Sequence, residues 1–233
     1  MISGFDIFKL LYSLDLRWQS FDWLECNNMD DFELLCSVVL TQNTKWDNVI
    51  KALKNLKNAN INNIKALNDI DINVLAYLIK PSGFYNIKAK RLKNLTKAII
   101  DDFKDLNDFK NRANRQWLLD IKGLGYESVD SVLNYLCKKE IMVVDKYSYK
   151  LALNLGYEMD DYEDIREFYE NGINEKDINN IINQYNNNPK YHYKLYEIYQ
   201  IFHALIIEFG KKYFKSSILS EEGKEILKNI ENV

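Results

Sequence analysis

Apolar residues recur every three to four positions along most of the chain, the period of a helix face turned towards a core. Phe5, Phe8, Leu11 and Tyr12 make one stripe; Phe32, Leu35 and Val39 a second; Val49, Ile50, Leu53 and Leu56 a third; Leu92, Leu95, Ile99 and Phe103 a fourth. The same spacing predicts helices over 73–79, 115–122, 127–137, 147–155, 162–169, 189–209 and 219–230, with Asn188 and Pro189 as a cap and first-turn pair. The one strand-like run is Ile141 to Val144, which is too short to found a sheet and reads as a buried extended connector. Eight glycines and two prolines leave little material for dense hairpins or a flexible linker. The pattern therefore predicts an all-α fold.

Composition adds a class and removes several others. The 233 residues are 47% hydrophobic and 28% charged, enough for one large core or two small helical ones. A net charge of −3 argues against a protein that coats nucleic acid through overall basicity, so any such contact has to be local. The first fourteen residues hold acidic Asp6 and no basic leader, and the apolar stretch 201–209 is broken by His203 and Glu208, so neither a signal peptide nor a membrane span is expected. Cys26, Cys36 and Cys137 are odd in number and lack ligand spacing, which suits reduced thiols in a core and a cytoplasmic location. His192 and His203 have no metal spacing with any cysteine or each other, so they read as structural and no metal site is expected. Asn-rich stretches at 58–63 and 186–188 read as loops or helix ends.

Chemistry concentrates between Trp117 and Gly156, in WLLDIKGLGYESVDSVLNYLCKKEIMVVDKYSYKLALNLG. A helix ends at Ile121-Lys122-Gly123-Leu124-Gly125 and another begins near Glu127, so a glycine hairpin joins two helices. Gly123 and Gly125, lacking Cβ atoms, are expected to take left-handed angles and to let backbone N–H groups approach a phosphate, with Lys122 as a counter-charge. Asp145 stands twenty residues beyond Gly125, just before the helix predicted over 147–155. Its plainest reading is a helix N-cap, a role aspartate commonly fills.

In this order the residues resemble the helix-hairpin-helix, Gly-Pro-Asp superfamily of base-excision DNA glycosylases typified by endonuclease III. The likeness rests on Leu118-x-x-Ile121-x-Gly123-x-Gly125, an intervening helix, then Val143-Val144-Asp145. Upstream, Leu40-Thr41-Gln42-Asn43-Thr44 resembles the family loop whose glutamine enters the DNA stack, and Gly83-Phe84-Tyr85-Asn86-x-Lys88-Ala89 resembles the loop that plugs the opposite strand. The similarity spans about residues 32–156, and its wording is nearest to a short bacterial subgroup of 3-methyladenine DNA glycosylases, continuing weakly to His203 and Glu208-Phe209. The resemblance implies two helical subdomains flanking an active-site cleft: 30–144, containing the hairpin at about 115–137, and a second built from 1–29 plus 145–233. It also implies a monomer acting on double-stranded DNA that contains a damaged base. Asp145 would be the catalytic carboxylate. Lys122, Gly123, Leu124, Gly125 and Lys88 would hold DNA, Gln42 would fill the vacancy and Phe84 would be the wedge. Trp23, Trp46, Glu127 and Lys211 would surround the base.

Departures from the pattern carry information. Family members that also nick the strand have a lysine two residues after the second hairpin glycine. This chain has Glu127 there, which implies a monofunctional enzyme, although Lys122 and Lys146 are nearby amines. Many relatives bind an iron–sulfur cluster through four C-terminal cysteines. No cysteine follows Cys137 here, so no cofactor is expected. The subgroup's tryptophan-rich, proline-containing segment is reduced to Trp23 within residues 22–28, and an expected pocket lysine is replaced by Leu205 while Lys211 is retained. Lys88, Lys90, Arg91 and Lys93 read either as a solvated helix face or as phosphate contacts. Trp46, Phe84, Tyr147 and Tyr149 have core packing as their ordinary alternative. The expected activity is hydrolysis of the N-glycosidic bond to an alkylated purine. The rivals are an endonuclease III-like glycosylase and lyase on other lesions, or a non-catalytic protein that binds DNA through the hairpin.

Overall fold

Short polar residues announce most of the helix starts. Ser3 caps α1 (Gly4–Ser13) and Asp30 caps α2 (Asp31–Leu40), each in a reciprocal box with the acidic residue three positions on. Asn63, Asp71, Asp105 and Asn114 cap α4 (Ile64–Asp69), α5 (Ile72–Leu78), α7 (Leu106–Arg112) and α8 (Arg115–Leu119) by accepting from first-turn amides, without the reciprocal bond. Between them lie α3 (Trp46–Asn58) and the long α6 (Tyr85–Asp102). Helix α9 (Tyr126–Ser131) runs directly into a π-helical turn, Val132–Leu136. The remaining helices are α10 (Lys146–Asn154), α11 (Tyr162–Glu170), α12 (Glu175–Asn186), α13 (Leu195–Tyr213) and α14 (Glu221–Lys228). Two-residue strands β1 (Phe214–Lys215) and β2 (Ile218–Leu219) pair antiparallel, Phe214 opposite Leu219. The fold is all-α. The computed structural model describes residues 2–20, 23, 29–186 and 192–232, so Cys26, most of the 22–28 segment and the Asn188-Pro189 pair lie outside the described residues.

The chain forms two compact units, Cys26–Lys139 and Met1–Glu25 with Glu140–Val233. In the first, the stripes of α2, α3 and α6 meet: Leu35, Val39, Val49, Leu53, Leu56, Leu92, Leu95 and Ile99 are all buried. Ile50, expected in that stripe, is 39% exposed, because its position on α3 lies outside the arc that faces α2. Phe103, Phe109 and Trp117 form an aromatic nest, with Phe103 and Trp117 edge to face at 4.9 Å, and the Trp117 indole N–H donates to Asp102 at 2.7 Å.

The second unit closes around Phe8, Tyr169 and Phe202, whose rings meet edge to face at 5.4 and 5.6 Å. Helix α1 thus completes a core whose other walls come from residues more than a hundred positions later. The segment 141–144 is extended and, apart from Ile141, buried; Met142 and Val144 belong to this unit's core, so the division falls at Lys139 rather than at 144. A buried extended segment must find partners for its amides. Met142 N–H donates to the Glu170 carboxylate at 2.9 Å and Val144 N–H to the Tyr162 hydroxyl at 3.4 Å.

Helices α4, α7 and α12 escape the sequence pattern. Helix α12 is rich in Asn, a residue typical of turns, yet Ile178, Ile181 and Ile182 turn one face into the core. Cys36 and Cys137 are buried with free thiols, and burial pushes the Cys137 thiol up to about 12. No helix among the described residues is long and apolar enough to cross a membrane.

One buried ion pair holds the hairpin's two helices together. Arg115 on α8 donates Nε to Asp130 Oδ1 at 2.6 Å and Nη2 to Oδ2 at 3.0 Å, while its guanidinium lies 5.3 Å from the Tyr126 ring. Asp130 is fully buried. Removing one partner of such a pair strands the other, so Arg115→Ala should lower unfolding free energy by about 3 kcal/mol in urea titration. Arg115→Lys, which cannot form the fork, should recover less than half of that. Parental stability in Arg115→Ala would rule out this pair as the clasp of the hairpin.

Candidate functional site

The loop after α2 presents Gln42 from a backbone that turns through Asn43 at φ 53°. Asparagine tolerates this left-handed angle because its side chain is short and polar. Gln42 is half-buried, and both ends of its amide are engaged: Nε2 donates to Ser128 Oγ at 2.8 Å, and Oε1 accepts from Arg91 Nη1. Ser128 lies on α9 and Arg91 on α6, so the loop, the hairpin's second helix and the long helix converge on one side chain.

Phe84 is different in kind. It is 68% exposed and sits at φ 44°, after Gly83 at φ 65°. A bulky residue in the left-handed region costs about 1–3 kcal/mol unless its surroundings impose it, and most of this ring is solvated. Strain combined with an exposed ring is what a side chain built to enter another molecule would show.

Lys88 corrects an expectation. Read as a phosphate contact, it is instead 1% exposed, and its ammonium donates to Leu40 O at 2.7 Å, Thr44 Oγ1 at 2.6 Å and Ser82 O at 2.7 Å. All three donors are spent inside the protein. Burial pulls the amine down to about 8, with Arg91 acting in the same direction. Arg91 and Lys93 also turn inward: Lys93 donates to the carbonyls of Asn68, at 2.6 Å, and Ile70. Of the cationic run, Lys90 is fully solvated. The charge pattern on α6 reflects loop anchoring, and the signal for Lys88 was its i, i+4, i+7, i+11 register with Leu92, Leu95 and Ile99 on the buried stripe.

The hairpin departs in detail from its expected geometry. Gly123 is left-handed at φ 109°, but Gly125 is extended at φ −103° and serves as the N-cap of α9. Gly123 packs against the Arg91 stem, where any Cβ would collide with it, and Asn94 Nδ2 donates to Lys122 O at 3.1 Å. A Cβ on Gly125 would meet nothing within 4 Å, so that glycine leaves its backbone open to a ligand. Leu124 is 8% exposed and anchors the turn in the core rather than offering a side chain to solvent. Lys122 and Glu127 are exposed.

In the other unit, Asp145 caps α10, as its plainest reading required. Its Oδ1 accepts from Tyr147 N at 2.8 Å, Ser148 N at 3.0 Å and Ser148 Oγ at 3.3 Å, and the Ser148 hydroxyl accepts from Asp145 N at 3.2 Å. Every one of those side-chain bonds ends on Oδ1; Oδ2 accepts none among the described residues. The carboxylate is thus gripped at one oxygen, while the other remains available for chemistry, on a residue 8% exposed. Tyr169, fully buried, donates to Ser148 O at 2.8 Å, and burial first and Asp145 second push its hydroxyl up. His203 lies 6.4 Å from the Trp23 ring, centroid to centroid.

Other predicted pocket residues are distributed. Trp46, half-buried, opens α3. Lys211 is exposed on the last turn of α13 and pairs with Glu208 at 2.7 Å. Tyr147 packs on Gly210, where a Cβ would strike its ring, and carries Lys146 at 5.2 Å on its face. Leu205 is fully buried. No group of His, Cys, Asp or Glu able to hold a metal is found among the described residues.

Burial pushes the His203 imidazole down to about 4, against a smaller upward pull from Asp145. The unfolded chain then binds a proton below pH about 6.5 that the folded state refuses until about 4, so stability falls as pH drops through that window. Acidifying from pH 7 to 5 should cost about 2 kcal/mol through this residue. Unfolding titrations of His203→Gln should show a shallower acid loss; an unchanged slope would count against a neutral buried imidazole.

The family model for HhH-GPD superfamily base excision DNA repair proteins matches residues 36–175, more than half of the chain. A Methanocaldococcus jannaschii protein, provisionally assigned as a DNA repair glycosylase, is 36% identical over 198 residues, covering 82% of this chain and 81% of its own. Among solved structures, the 3-methyladenine DNA glycosylase of H. pylori bound to 1,N6-ethenoadenine is 42% identical, with a TM-score of 0.82 over 92% of this chain and all of that one. A non-covalent endonuclease III–DNA complex shares the fold at 19% identity, with a TM-score of 0.65 over 98% of this chain and 100% of that one. The hairpin, the loops and the capping carboxylate described above therefore sit in a chain that belongs to the HhH-GPD superfamily of base excision DNA repair proteins.

Proposed function

We propose that this chain is a monofunctional DNA N-glycosylase that excises alkylated purines of the 3-methyladenine kind from duplex DNA. The observation that carries the reading is the division of labour on Asp145, Oδ1 bound by the α10 amides and Oδ2 accepting no hydrogen bond among the described residues. Breaking the N-glycosidic bond sends its electron pair to the departing base and leaves positive charge on the sugar. A carboxylate fixed before the reaction stabilises that charge without reorganising, and its Oδ2 takes the proton from the water that adds to the sugar. A positively charged alkylated base leaves readily, which fits a site with little acid assistance. Likeness to the H. pylori enzyme, whose structure holds an etheno-purine, supports the purine class.

A base within a duplex is unreachable, so the nucleotide must be everted and its place filled. Gln42 is the filler and strained, exposed Phe84 the wedge; Gly123, Gly125 and Lys122 approach the phosphates. Trp23, beside His203, and Trp46, at the head of α3, are the aromatic faces on which a base would stack. Glu127 stands where strand-nicking relatives have their lysine, and Lys146 is engaged with the Tyr147 ring, which supports base release without a Schiff base. The chemistry asks for no cofactor.

Asp145→Asn is a clean test, because asparagine caps helices as well as aspartate does. Base release from methylated duplex DNA should fall by about 10²-fold or more while the melting temperature hardly moves. Release at the parental rate would refute the catalytic assignment. Borohydride trapping on abasic DNA should give no covalent adduct; a strong adduct would favour the endonuclease III-like reading instead, and binding without release the non-catalytic one. Phe84→Gly removes both ring and strain: stability should rise by up to about 1 kcal/mol as excision from duplex falls. A variant that loses stability and keeps full activity would show Phe84 to be a packing residue.

A further inference from the structure

We propose that Lys88 is a positioning residue that sets the spacing between the loop carrying Gln42 and the loop carrying Phe84, so that opening of the duplex, rather than bond cleavage, depends on it. The inference rests on the reading of those two residues as filler and wedge.

The geometry of the ammonium makes the case. Its three donors point at three acceptors from different parts of the chain: Leu40 O at the end of α2, Thr44 Oγ1 two residues beyond Gln42, and Ser82 O two residues before Phe84. Thr44 completes the junction by accepting from Lys88 and donating to the Ser82 carbonyl. The backbone of the same lysine donates to Phe84 O at 3.0 Å. One residue therefore holds the carbonyl of the wedge through its amide and both loops through its side chain. One turn further along α6, Arg91 holds the oxygen of the Gln42 amide. A compact, three-donor head on a flexible stem is what such a junction requires; the planar fork of arginine would not converge on three acceptors in this way.

The consequence concerns the duplex. A filler on one strand and a wedge against the other act on the same base step, so an error in their separation is felt when the stack is opened. A base that is already unpaired makes no such demand. Misplacement of about 1 Å at a reacting assembly costs on the order of 10²-fold in rate.

The test uses the full chain and Lys88→Met, which keeps the apolar stem and removes the donors. Single-turnover release of 1,N6-ethenoadenine is measured from a duplex with the lesion opposite thymine and from the same strand unpaired. Amide hydrogen exchange is followed at residues 40–46 and 80–84. The expected result is a loss of about 10- to 100-fold on the duplex, less than about 3-fold on the unpaired strand, and faster exchange in both loops. Equal losses on both substrates, or loops that exchange at the parental rate, overturn the proposal. If Lys88→Met does not fold, Thr44→Val removes one acceptor and should shift the same ratio in the same direction by about 3- to 10-fold; an unchanged ratio overturns it. Should the parent release no base from either substrate, the glycosylase reading fails, and exchange in the two loops still decides for or against Lys88.

Discussion

A charge taken out of water must find inside the protein what the solvent supplied, and a group left short costs several kcal/mol. Lys88, Asp130 and Asp145 are all buried, and each stands at a joint of the structure: two loops at Lys88, two helices at Asp130, a helix start at Asp145. Lys88 and Asp130 find their partners on other elements, so satisfying those two charges and joining the elements are the same event, while Asp145 is satisfied locally by the first turn of its own helix. The apolar cores bring the helices together without specifying loop geometry to within an ångström. The polar junctions do that.

Helix α6 shows how. Its apolar face, Leu92, Leu95 and Ile99, lies in a core and Lys88 heads that same stripe, from which Lys88, Arg91 and Asn94 step round the helix at three-residue intervals. They hold in turn the loop bases, the Gln42 amide and the Lys122 carbonyl. A straight helix is stiff over this length, so the Gln42 loop, the Phe84 loop and the hairpin inherit a common ruler. Gly123 lets the Arg91 stem pass where a Cβ would block it, which gives that glycine a packing reason beside its left-handed angle.

Asp145 shows that the modest and the ambitious reading of one residue need not compete. Helix capping uses one carboxylate oxygen, and the amides that donate to it also hold the other in place. A freely rotating carboxylate would have to be ordered at the moment of reaction, whereas this one is held beforehand. Phe84 is the converse case, a residue whose local conformation is unfavourable and whose ring is solvated, so that its stability cost makes sense in contact with another molecule.

Periodicity alone disclosed the all-helical architecture and most helix positions, because burial of one face imposes its spacing on any helix. Local rules located the Asp145 cap and the left-handed Gly123 because caps and hairpins demand particular residue types at fixed offsets, whereas Gln42 and Phe84 were singled out by family resemblance. Helix α12 stayed hidden, since its asparagines have turn-like preferences that packing of Ile178 and Ile182 overrides. Gly125 was assigned a left-handed angle it does not adopt, because glycine permits such an angle without requiring it. Lys88 was misplaced on the surface, since its cationic run was read for charge and not for its register with Leu92, Leu95 and Ile99, and the three oxygens it meets are set by the fold. Which direction a charge faces depends on acceptors dozens of residues away in the chain, and that information comes into being when the tertiary structure forms.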